Sequence, residues 1–280
     1  MGDSLPSQVS MLLAACERDL GNPDLWFKPD GYPESLALCI IDSIYSTGAR
    51  YSSVLNVAKR YREYRLDQGG NPDTDGTDEL RATIDELGGP DPWATCIGNR
   101  RPTSTAKGAP LKAEAIRQIA TALPSLGIRS AADLRAAADA EKLAPIKAAW
   151  RVAPGQRSGI TWNYALMLAR IPGVKADRMV IRYVADAIGK EQGPPAPKEA
   201  SDLVKQVAEL KGSDVIYLDH AIWRKQSGRR VNVEAGTGEV QNARGVRTVN
   251  LTTGAREPLF ALAAASSIHI GHSGQLRAGS

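Results

Sequence analysis

The feature that most constrains the fold is a segment near the start of the chain that is apolar on nearly every side. Residues 34–45 read ESLALCIIDSIY, and their Leu, Ile and Cys side chains fall all round a helix. A helix of this kind has no polar face for solvent, so other elements must cover it. The sequence therefore predicts a central buried helix with the rest of the fold packed around it.

The covering elements are predicted to be helices as well. The 280 residues suffice for one large domain or two small ones, and the chain is rich in alanine with only 2 Phe. This composition favours helices packed through small and aliphatic side chains over a β-sandwich. Helical spacing bounded by Gly, Pro and capping residues predicts further helices over 8–20, 51–66, 78–87, 111–123, 130–140, 144–151, 159–169, 177–188, 198–210 and 214–224. We expect an all-α body.

Two other regions lack this helical pattern. Residues 91–110 predict a long irregular connection, a type of loop that is usually functional or mobile. After Lys225 the composition shifts to Gly, Thr, Ser and Asn, with alternating apolar residues at 231–233 and 246–251. This composition predicts a short irregular or β-like C-terminal extension over 226–280, with one hairpin and a disordered end.

The net charge and the cysteines indicate which binding partners and which cellular compartment to expect. A net charge of +4 permits a polyanionic partner without requiring one. Cys16, Cys39 and Cys96 lack metal-ligand spacing, so we expect reduced thiols and no metal site. No signal peptide and no membrane-length apolar run is evident. We expect a soluble, cytoplasmic monomer without membrane contact.

The most informative segment covers residues 147–189. It reads as a helix, the tight turn Pro154-Gly155-Gln156-Arg157-Ser158-Gly159, a second helix, a short loop and a third helix that begins at Asp177. Glycines at both ends of the turn let the backbone reverse sharply and approach a partner closely. The amides of Gly159 and Ile160 open the second helix, where exposed N–H groups and the helix dipole suit a phosphate.

This segment resembles the helix-hairpin-helix, Gly/Pro-rich loop and catalytic aspartate of the HhH-GPD superfamily of DNA glycosylases. The family hairpin has the form Pro-Gly-x-Gly, and an Asp further along opens a helix that carries an Arg. Here Pro154-Gly155 and Gly159 are followed by Asp177 and Arg182. Residues 36–51 are similar to the family's early buried helix and base-wedging turn, and residues 93–119 to its second wedging loop. The resemblance covers residues 30–224 and is sharpest over 150–190.

The resemblance implies the helix-hairpin-helix glycosylase fold, in which two helical subdomains enclose a cleft. On this basis residues 1–29 form a helical lead-in and residues 30–225 the glycosylase domain. The hairpin occupies 147–169 and the catalytic loop 170–182, and residues 226–280 form the C-terminal extension. The implied partner is double-stranded DNA, from which the enzyme flips out and excises a base.

Asp177 is the residue to which the resemblance assigns catalysis. Breaking an N-glycosidic bond builds positive charge on the sugar, as in glycoside hydrolysis. A carboxylate beside C1′ stabilises that charge and can orient the attacking water. The alternative is that Asp177 only caps the helix that follows it, and one residue can serve both roles.

Two departures from the family pattern shape the expected chemistry. The hairpin has an extra residue, and Thr161 or Trp162 stands where bifunctional members, which also cut the strand, carry a nucleophilic lysine. Without that amine no Schiff base forms, so the resemblance implies a monofunctional glycosylase that hydrolyses the bond and leaves an abasic site. The four-cysteine cluster of some members is missing, so we expect no iron–sulfur cluster and no cofactor. A structural cation at the hairpin remains compatible with this pattern.

Candidate binding residues surround this centre. An extruded base needs an aromatic-lined pocket, and core packing is the alternative for every aromatic candidate. The pocket candidates are Tyr45, Tyr51, Trp93 and Trp162, with Asn99 for hydrogen bonding. The candidate DNA contacts are Gly155, Arg157, Gly159, Ile160, Thr161, Lys175, Arg178, Arg100 and Lys107, for whose basic members a solvated face is the alternative. Asp219 and His220 predict a structural hydrogen-bonding pair, with a catalytic dyad as the alternative.

The sequence leaves the excised base open. The resemblance suggests an alkylated purine, which would indicate DNA repair. The long 91–110 loop and the unusual hairpin suggest a bulkier base, such as the glucosylated hydroxymethylcytosine of some phage genomes, which would indicate antiviral defence. Two functions without catalysis also stay open: a helix-hairpin-helix DNA-binding module and a helical protein–protein scaffold.

Overall fold

A computed structural model describes residues 7–189 and 193–233, together with the backbone of three short strands beyond them. This part of the chain is mainly α-helical, which confirms the predicted class. Its helices are α1 Gln8–Leu20, α2 Leu36–Tyr45, α3 Tyr51–Asp67, α4 Thr77–Glu86, α5 Pro90–Cys96, α6 Lys112–Ala122, α7 Ala131–Asp139, α8 Leu143–Val152, α9 Ile160–Leu168, α10 Arg178–Ile188, α11 Pro197–Leu210 and α12 Val215–Gln226.

Within the described residues, four short strands accompany the helices. Strand β1 (Lys28–Pro29) pairs in parallel with β4 (Arg256–Glu257), and β2 (Glu239–Asn242) pairs antiparallel with β3 (Gly245–Thr248). The predicted β-like extension is therefore present in these strands. The alternating residues 231–233 are β-like as well, because Asn232 forms an isolated antiparallel bridge with Trp26, Phe27 N donates to the Val231 carbonyl at 3.2 Å and Val233 N donates to the Leu25 carbonyl at 2.8 Å. Residues 234–238, 243–244, 249–255 and 258–280 of the predicted extension lie outside the described residues.

Helix α2 is buried over its whole length, as its all-round apolar sequence predicts. All ten of its residues are buried, and the helix packs against α3, α4, α6 and α9. Ser35 caps its start by accepting a hydrogen bond from the Leu38 amide at 3.3 Å. The surrounding hydrophobic core contains side chains from every helix between α2 and α9.

Helix α5 corrects the prediction that residues 91–110 are irregular throughout. Pro90 takes the first helical position, where its missing N–H costs nothing and its fixed φ suits the helix. Trp93 anchors the helix in the core, and its indole N–H donates to the Thr83 hydroxyl at 3.1 Å. Only the part after Cys96 is irregular, and the hydrogen bond from Thr103 N to Pro110 O at 2.8 Å closes it into a loop.

A second hydrophobic core joins the two ends of the helical region. Helix α1 packs against α10, α11 and α12, and Trp26 completes this core by donating its indole N–H to the Leu20 carbonyl at 2.9 Å. The connection between α9 and α10 passes from one core to the other, since Ile171 belongs to the first and Val174 to the second. The domain boundaries drawn from the sequence remain predictions.

Shortening a side chain of α2 should destabilise the protein strongly. Leu38 has no exposed surface, so Leu38→Ala should lower the free energy of unfolding by about 2–5 kcal/mol through lost burial and the cavity left behind. Leu66 is 60% exposed on α3, and Leu66→Ala should change the free energy of unfolding by no more than about 0.5 kcal/mol. Equal losses in denaturant titrations of the two variants would contradict the central position of α2.

Candidate functional site

Helices α8 and α9 form the predicted hairpin, and glycine is needed at two points of its turn. Gly155 and Gly159 both have φ of +76°, in the left-handed region that other residues avoid. A Cβ atom at Gly155 would lie 2.8 Å from the Cβ of Thr103. Glycine therefore lets the hairpin turn press against the loop that follows α5.

The inner side of the turn is locked by a buried hydrogen-bond chain. The Thr161 hydroxyl accepts from the indole N–H of Trp150 at 3.0 Å and donates to Gln156 Oε1 at 2.5 Å. Gln156 Nε2 in turn donates to the Pro154 carbonyl at 2.9 Å. Because Thr161 is 2% exposed and engaged on both sides, its predicted DNA contact is corrected to a structural role. Gln156 lies between the two glycines of the turn, and its side chain completes this hydrogen-bond chain.

The outer side of the hairpin is cationic. Arg157 is exposed on the turn, and Lys147 and Arg151 of α8 place their stems within about 4 Å of where a Gly159 side chain would begin. Arg151 Nε also donates to the Arg157 carbonyl at 2.7 Å. The sequence analysis missed Lys147 and Arg151. The sequence feature that could have identified them is their i, i+4 spacing, which places both side chains on one face of α8.

The loop after α5, which contacts the hairpin turn, also contacts the turn between α2 and α3. Arg101 Nη1 donates to the Gly48 carbonyl at 2.8 Å, which ties the loop after α5 to the turn between α2 and α3. Lys112 Nζ donates to the carbonyls of Tyr45 at 3.2 Å and Thr47 at 2.6 Å, where the negative end of the α2 dipole favours a cation. We call residues 46–50, 97–111 and 153–159 the loop face. The structure thus brings together three segments that the sequence singled out separately.

The exposed residues that are predicted to contact DNA differ in the contacts that their side chains already make within the protein. Arg100 is exposed but forms a bidentate pair with Asp91 at 2.8 and 2.9 Å. Lys107 is exposed within the loop after α5, and Arg178 is exposed on the first turn of α10. Ile160 is half-buried, and its amide faces the Ser158 hydroxyl at 3.4 Å.

Asp177 is the N-cap of α10. Its Oδ1 atom accepts hydrogen bonds from the amides of Met179 at 2.7 Å and Val180 at 3.3 Å, so the capping role is real. The side chain is partly exposed, and Oδ2 takes no part in these two bonds. The cap therefore fixes the orientation of the carboxylate while one oxygen remains for other contacts.

Lys175 points into the protein, which corrects its predicted contact with phosphate. The residue is 8% exposed, its Nζ lies 3.3 Å from the Ser46 hydroxyl, and the same atom lies 3.6 Å from the centre of the Tyr164 ring. Burial lowers the pKa of this lysine, while the nearby carboxyl groups of Asp177, Asp42 and Asp219 act to raise it.

Asp42 supplies the deepest carboxyl group near this lysine, and the sequence analysis missed it. It has no exposed surface, and its Oδ2 accepts from the hydroxyls of Tyr32 at 2.9 Å and Tyr51 at 3.2 Å. Burial raises the pKa of Asp42, and the tyrosine hydrogen bonds and Lys175 oppose that rise. The sequence feature that could have identified Asp42 is its position as an acidic residue inside an otherwise apolar helix, because a buried polar group is the informative exception in a core.

Asp219 and His220 of α12, predicted to be a structural pair, each make a contact with a different residue. Asp219 Oδ1 accepts from the backbone N–H of Lys175 at 3.0 Å, and burial together with the charge of Asp177 raises the pKa of Asp219 well above its usual value. His220 stacks on Trp223, with 5.9 Å between ring centres. Burial and two neighbouring arginines lower the pKa of His220 to about 3, which favours the neutral ring.

Three of the four predicted pocket aromatics take the core-packing alternative. Tyr45 and Trp93 stack at 6.5 Å between ring centres, and Trp162 packs edge-on against Trp150 at 5.6 Å. The other two pocket candidates lie nearer the surface. Tyr51 is half-buried above Asp42, and half-buried Asn99 donates from Nδ2 to the Ser53 hydroxyl at 3.3 Å. Asn99 lies within the loop face, and Tyr51 directly follows its first segment.

A groove of about 500 Å³ lies between α6 and α8, away from Asp177. Its lining residues are Arg117, Gln118, Thr121, Ala122, Ala149, Val152 and Ala153. Within the described ranges, no three His, Cys, Asp or Glu side chains are grouped so that they could hold a metal ion. In the same part of the chain, no helix is long and apolar enough to cross a membrane.

Comparison with known proteins shows which family the chain belongs to, and the description of that family assigns no function. The chain belongs to the family described as a domain of unknown function, DUF8548, whose model matches residues 10–227. The match extends from α1 through α12 and stops before β2. No curated protein and no solved structure matches the chain.

Replacing Asp177 separates its capping role from its charge. Asp177→Ala removes the acceptor for two amides and should lower the free energy of unfolding by about 0.5–2 kcal/mol. Asp177→Asn keeps an acceptor oxygen and should lose less, because Asn caps helices about as well as Asp. Denaturant titrations measure both variants. Equal destabilisation would mean that the carboxylate charge, rather than the cap geometry, stabilises α10.

Proposed function

We propose that this protein is a DNA N-glycosylase that extrudes a damaged or modified base and hydrolyses its N-glycosidic bond, with Asp177 as the catalytic carboxylate. The observation that carries the proposal is the position of Asp177. It lies on the connection between the two helical cores, partly exposed and held rigidly by α10, in the segment that follows the hairpin. Two helical subdomains, joined near the catalytic aspartate, are what the resemblance to HhH-GPD glycosylases implies.

The cationic side of the hairpin is suited to docking duplex DNA. Arg157, Lys147 and Arg151 surround the first residues of α9, where the helix dipole also favours a phosphate. Contacts of this kind set the position of the duplex without reading its sequence. The neighbouring turn at 46–50 and the loop at 97–111 would then face the duplex and could occupy the space of an extruded base.

The chemistry needs a fixed negative charge more than it needs a nucleophile. Cleavage of the N-glycosidic bond leaves an oxocarbenium-like sugar, which a carboxylate beside C1′ stabilises. The amides that bind Oδ1 of Asp177 orient the group before the substrate arrives, and the N-terminus of α10 favours its negative charge. Thr161 is locked inside the hairpin and carries no amine, so the hairpin helix offers no group for a Schiff base.

The proposal covers two classes of substrate base. An alkylated purine and a bulky phage base, such as glucosylated hydroxymethylcytosine, are the two classes that we propose to compare. Tyr51 and Asn99 are the pocket candidates that a base could reach with the least rearrangement, since Trp93 and Trp162 are core residues. The first class would indicate DNA repair, and the second would indicate antiviral defence.

A non-catalytic DNA-binding module is the second candidate. It is favoured by the interior packing of Tyr45, Trp93 and Trp162, which leaves fewer aromatics for a base pocket. Such a module would use the same cationic hairpin and would need Asp177 only as a helix cap.

Base release distinguishes the two candidates. Wild-type protein, incubated with a panel of lesion-bearing duplexes and with phage DNA, should release a base that mass spectrometry identifies and leave abasic sites that alkali cleaves. Asp177→Asn keeps the cap but removes the charge, so it should bind DNA normally and release no base. Release by both proteins would contradict the role of Asp177. DNA binding without release by either protein would favour the binding module.

Neutralising the outer side of the hairpin should weaken binding in a salt-dependent way. The test uses the triple variant Lys147→Ala/Arg151→Ala/Arg157→Ala. When the logarithm of the DNA association constant is plotted against the logarithm of salt concentration, the slope should become shallower by about 0.9 for each phosphate contact that is lost. Lys205→Ala is the control, because Lys205 is exposed on α11, a helix of the second core that does not pack against the hairpin. Fluorescence anisotropy measures both. An unchanged salt dependence in the triple variant would exclude the hairpin as the docking surface.

A further inference from the structure

The connection that carries Asp177 passes between the two cores beside α12. Val174 and Ala176 are buried in the second core, with 2% and 5% of their surfaces exposed. The side chain of Lys175, which lies between them in the sequence, reaches the other way, to the Ser46 hydroxyl at the end of α2. The backbone of Lys175 therefore lies where the two cores meet.

A buried carboxyl group of α12 holds this backbone. The Oδ1 atom of Asp219 accepts a hydrogen bond from the Lys175 N–H at 3.0 Å, and Asp219 is 1% exposed. The backbone carbonyls in the body of a helix are already used within the helix, so a side chain has to supply such an acceptor. Asp219 thus links the middle of α12 directly to the connection.

The position of Asp177 follows from this point through short backbone contacts. Its N–H donates to the Lys175 carbonyl at 2.6 Å, which closes a tight turn. Asp177 precedes the first turn of α10 and has extended backbone angles (φ −84°, ψ −177°), so the geometry of the helix alone does not fix it. Its carboxylate is therefore held from two sides, by the amides of α10 after it and by the turn at Lys175 before it.

We infer that Asp219 is a positioning residue for the proposed catalytic carboxylate, because it holds the Lys175 backbone and so sets where Asp177 lies relative to the loop face. The inference rests on the proposed function, since Asp219 matters for the reaction only if Asp177 faces the sugar. Asp219 itself is buried and would not contact the nucleotide. Positions of this kind have large effects, since a displacement of about 1 Å can cost about a hundredfold in rate.

The surroundings of Asp219 agree with a role as an acceptor rather than as a second charge. Burial and the charge of Asp177 raise the pKa of Asp219 well above its usual value, while the charge and the N–H of Lys175 oppose that rise. A neutral carboxyl group can still accept the Lys175 N–H through its carbonyl oxygen. Asparagine offers the same carbonyl oxygen without a charge, so Asp219→Asn should preserve the contact.

Binding to two duplexes that differ by one charge tests the inference on the full chain. One duplex carries a cationic pyrrolidine in place of an abasic sugar, and the other carries neutral tetrahydrofuran. Wild type should prefer the pyrrolidine duplex by at least about tenfold. In Asp219→Ala this preference should fall below about threefold, while the affinity for the tetrahydrofuran duplex changes by less than about twofold. Asp219→Asn should retain the preference.

Asp75→Ala is the matched control for the loss of a buried carboxyl group. Asp75 is 4% exposed just before α4, where it accepts from the Tyr61 hydroxyl at 2.8 Å and pairs with Arg65 at 2.7 Å. Its removal should destabilise the fold but leave the preference for pyrrolidine unchanged. Circular dichroism checks that each variant is folded. Where Asp219→Ala does not fold, Asp219→Ser repeats the test, because its shorter side chain leaves the acceptor out of reach, and it should also lose the preference.

The outcomes separate this inference from the proposed function. Equal affinity of wild type for the two duplexes contradicts the glycosylase proposal, and the inference fails with it. A wild-type preference that persists in Asp219→Ala overturns the role of Asp219 while the proposal stands. Loss of the preference in Asp219→Asn also overturns that role, because the charge and not the acceptor would then matter. Loss in Asp75→Ala overturns it as well, because general destabilisation would then suffice.

Discussion

The path of the chain between α9 and α10 is held by polar contacts, and the arrangement of the candidate site depends on them. Arg170 begins this path with a φ of +65°, which is unusual for a residue other than glycine and costs about 1–3 kcal/mol. Its guanidinium repays that strain by donating to the Pro29 carbonyl at 3.1 Å and the Tyr217 hydroxyl at 2.8 Å. Further along, Asp219 holds the Lys175 backbone and Asp177 caps α10.

These contacts place charged groups where two apolar cores meet. Lys175 is surrounded by the carboxyl groups of Asp42, Asp177 and Asp219, each from a different segment of the chain. A buried cation of this kind is costly unless opposite charges and hydrogen bonds surround it. Well-packed apolar residues would stabilise the junction at lower cost, so this lysine is not placed there for stability alone.

The sequence predicts the secondary structure here better than it predicts the roles of single residues. Helix α2 and the α8–α9 hairpin follow from local signals, namely an all-round apolar segment and two glycines that must adopt positive φ. The pairing of α1 with α10–α12 depends on contacts between distant parts of the chain, which no local pattern encodes. Thr161 and Lys175 are predicted to contact DNA and Trp162 to line a base pocket, but tertiary packing buries all three side chains.

The central claim is that Asp177 stabilises positive charge at C1′ of an extruded nucleotide, and a binding measurement tests it without knowledge of the base. Two duplexes are compared, one with a cationic pyrrolidine in place of the abasic sugar and one with neutral tetrahydrofuran. Because an enzyme binds mimics of its transition state most tightly, wild type should prefer the pyrrolidine duplex by at least about tenfold, or about 1.4 kcal/mol. Asp177→Asn should lose that preference. Equal affinity of the wild-type protein for both duplexes would contradict the claim.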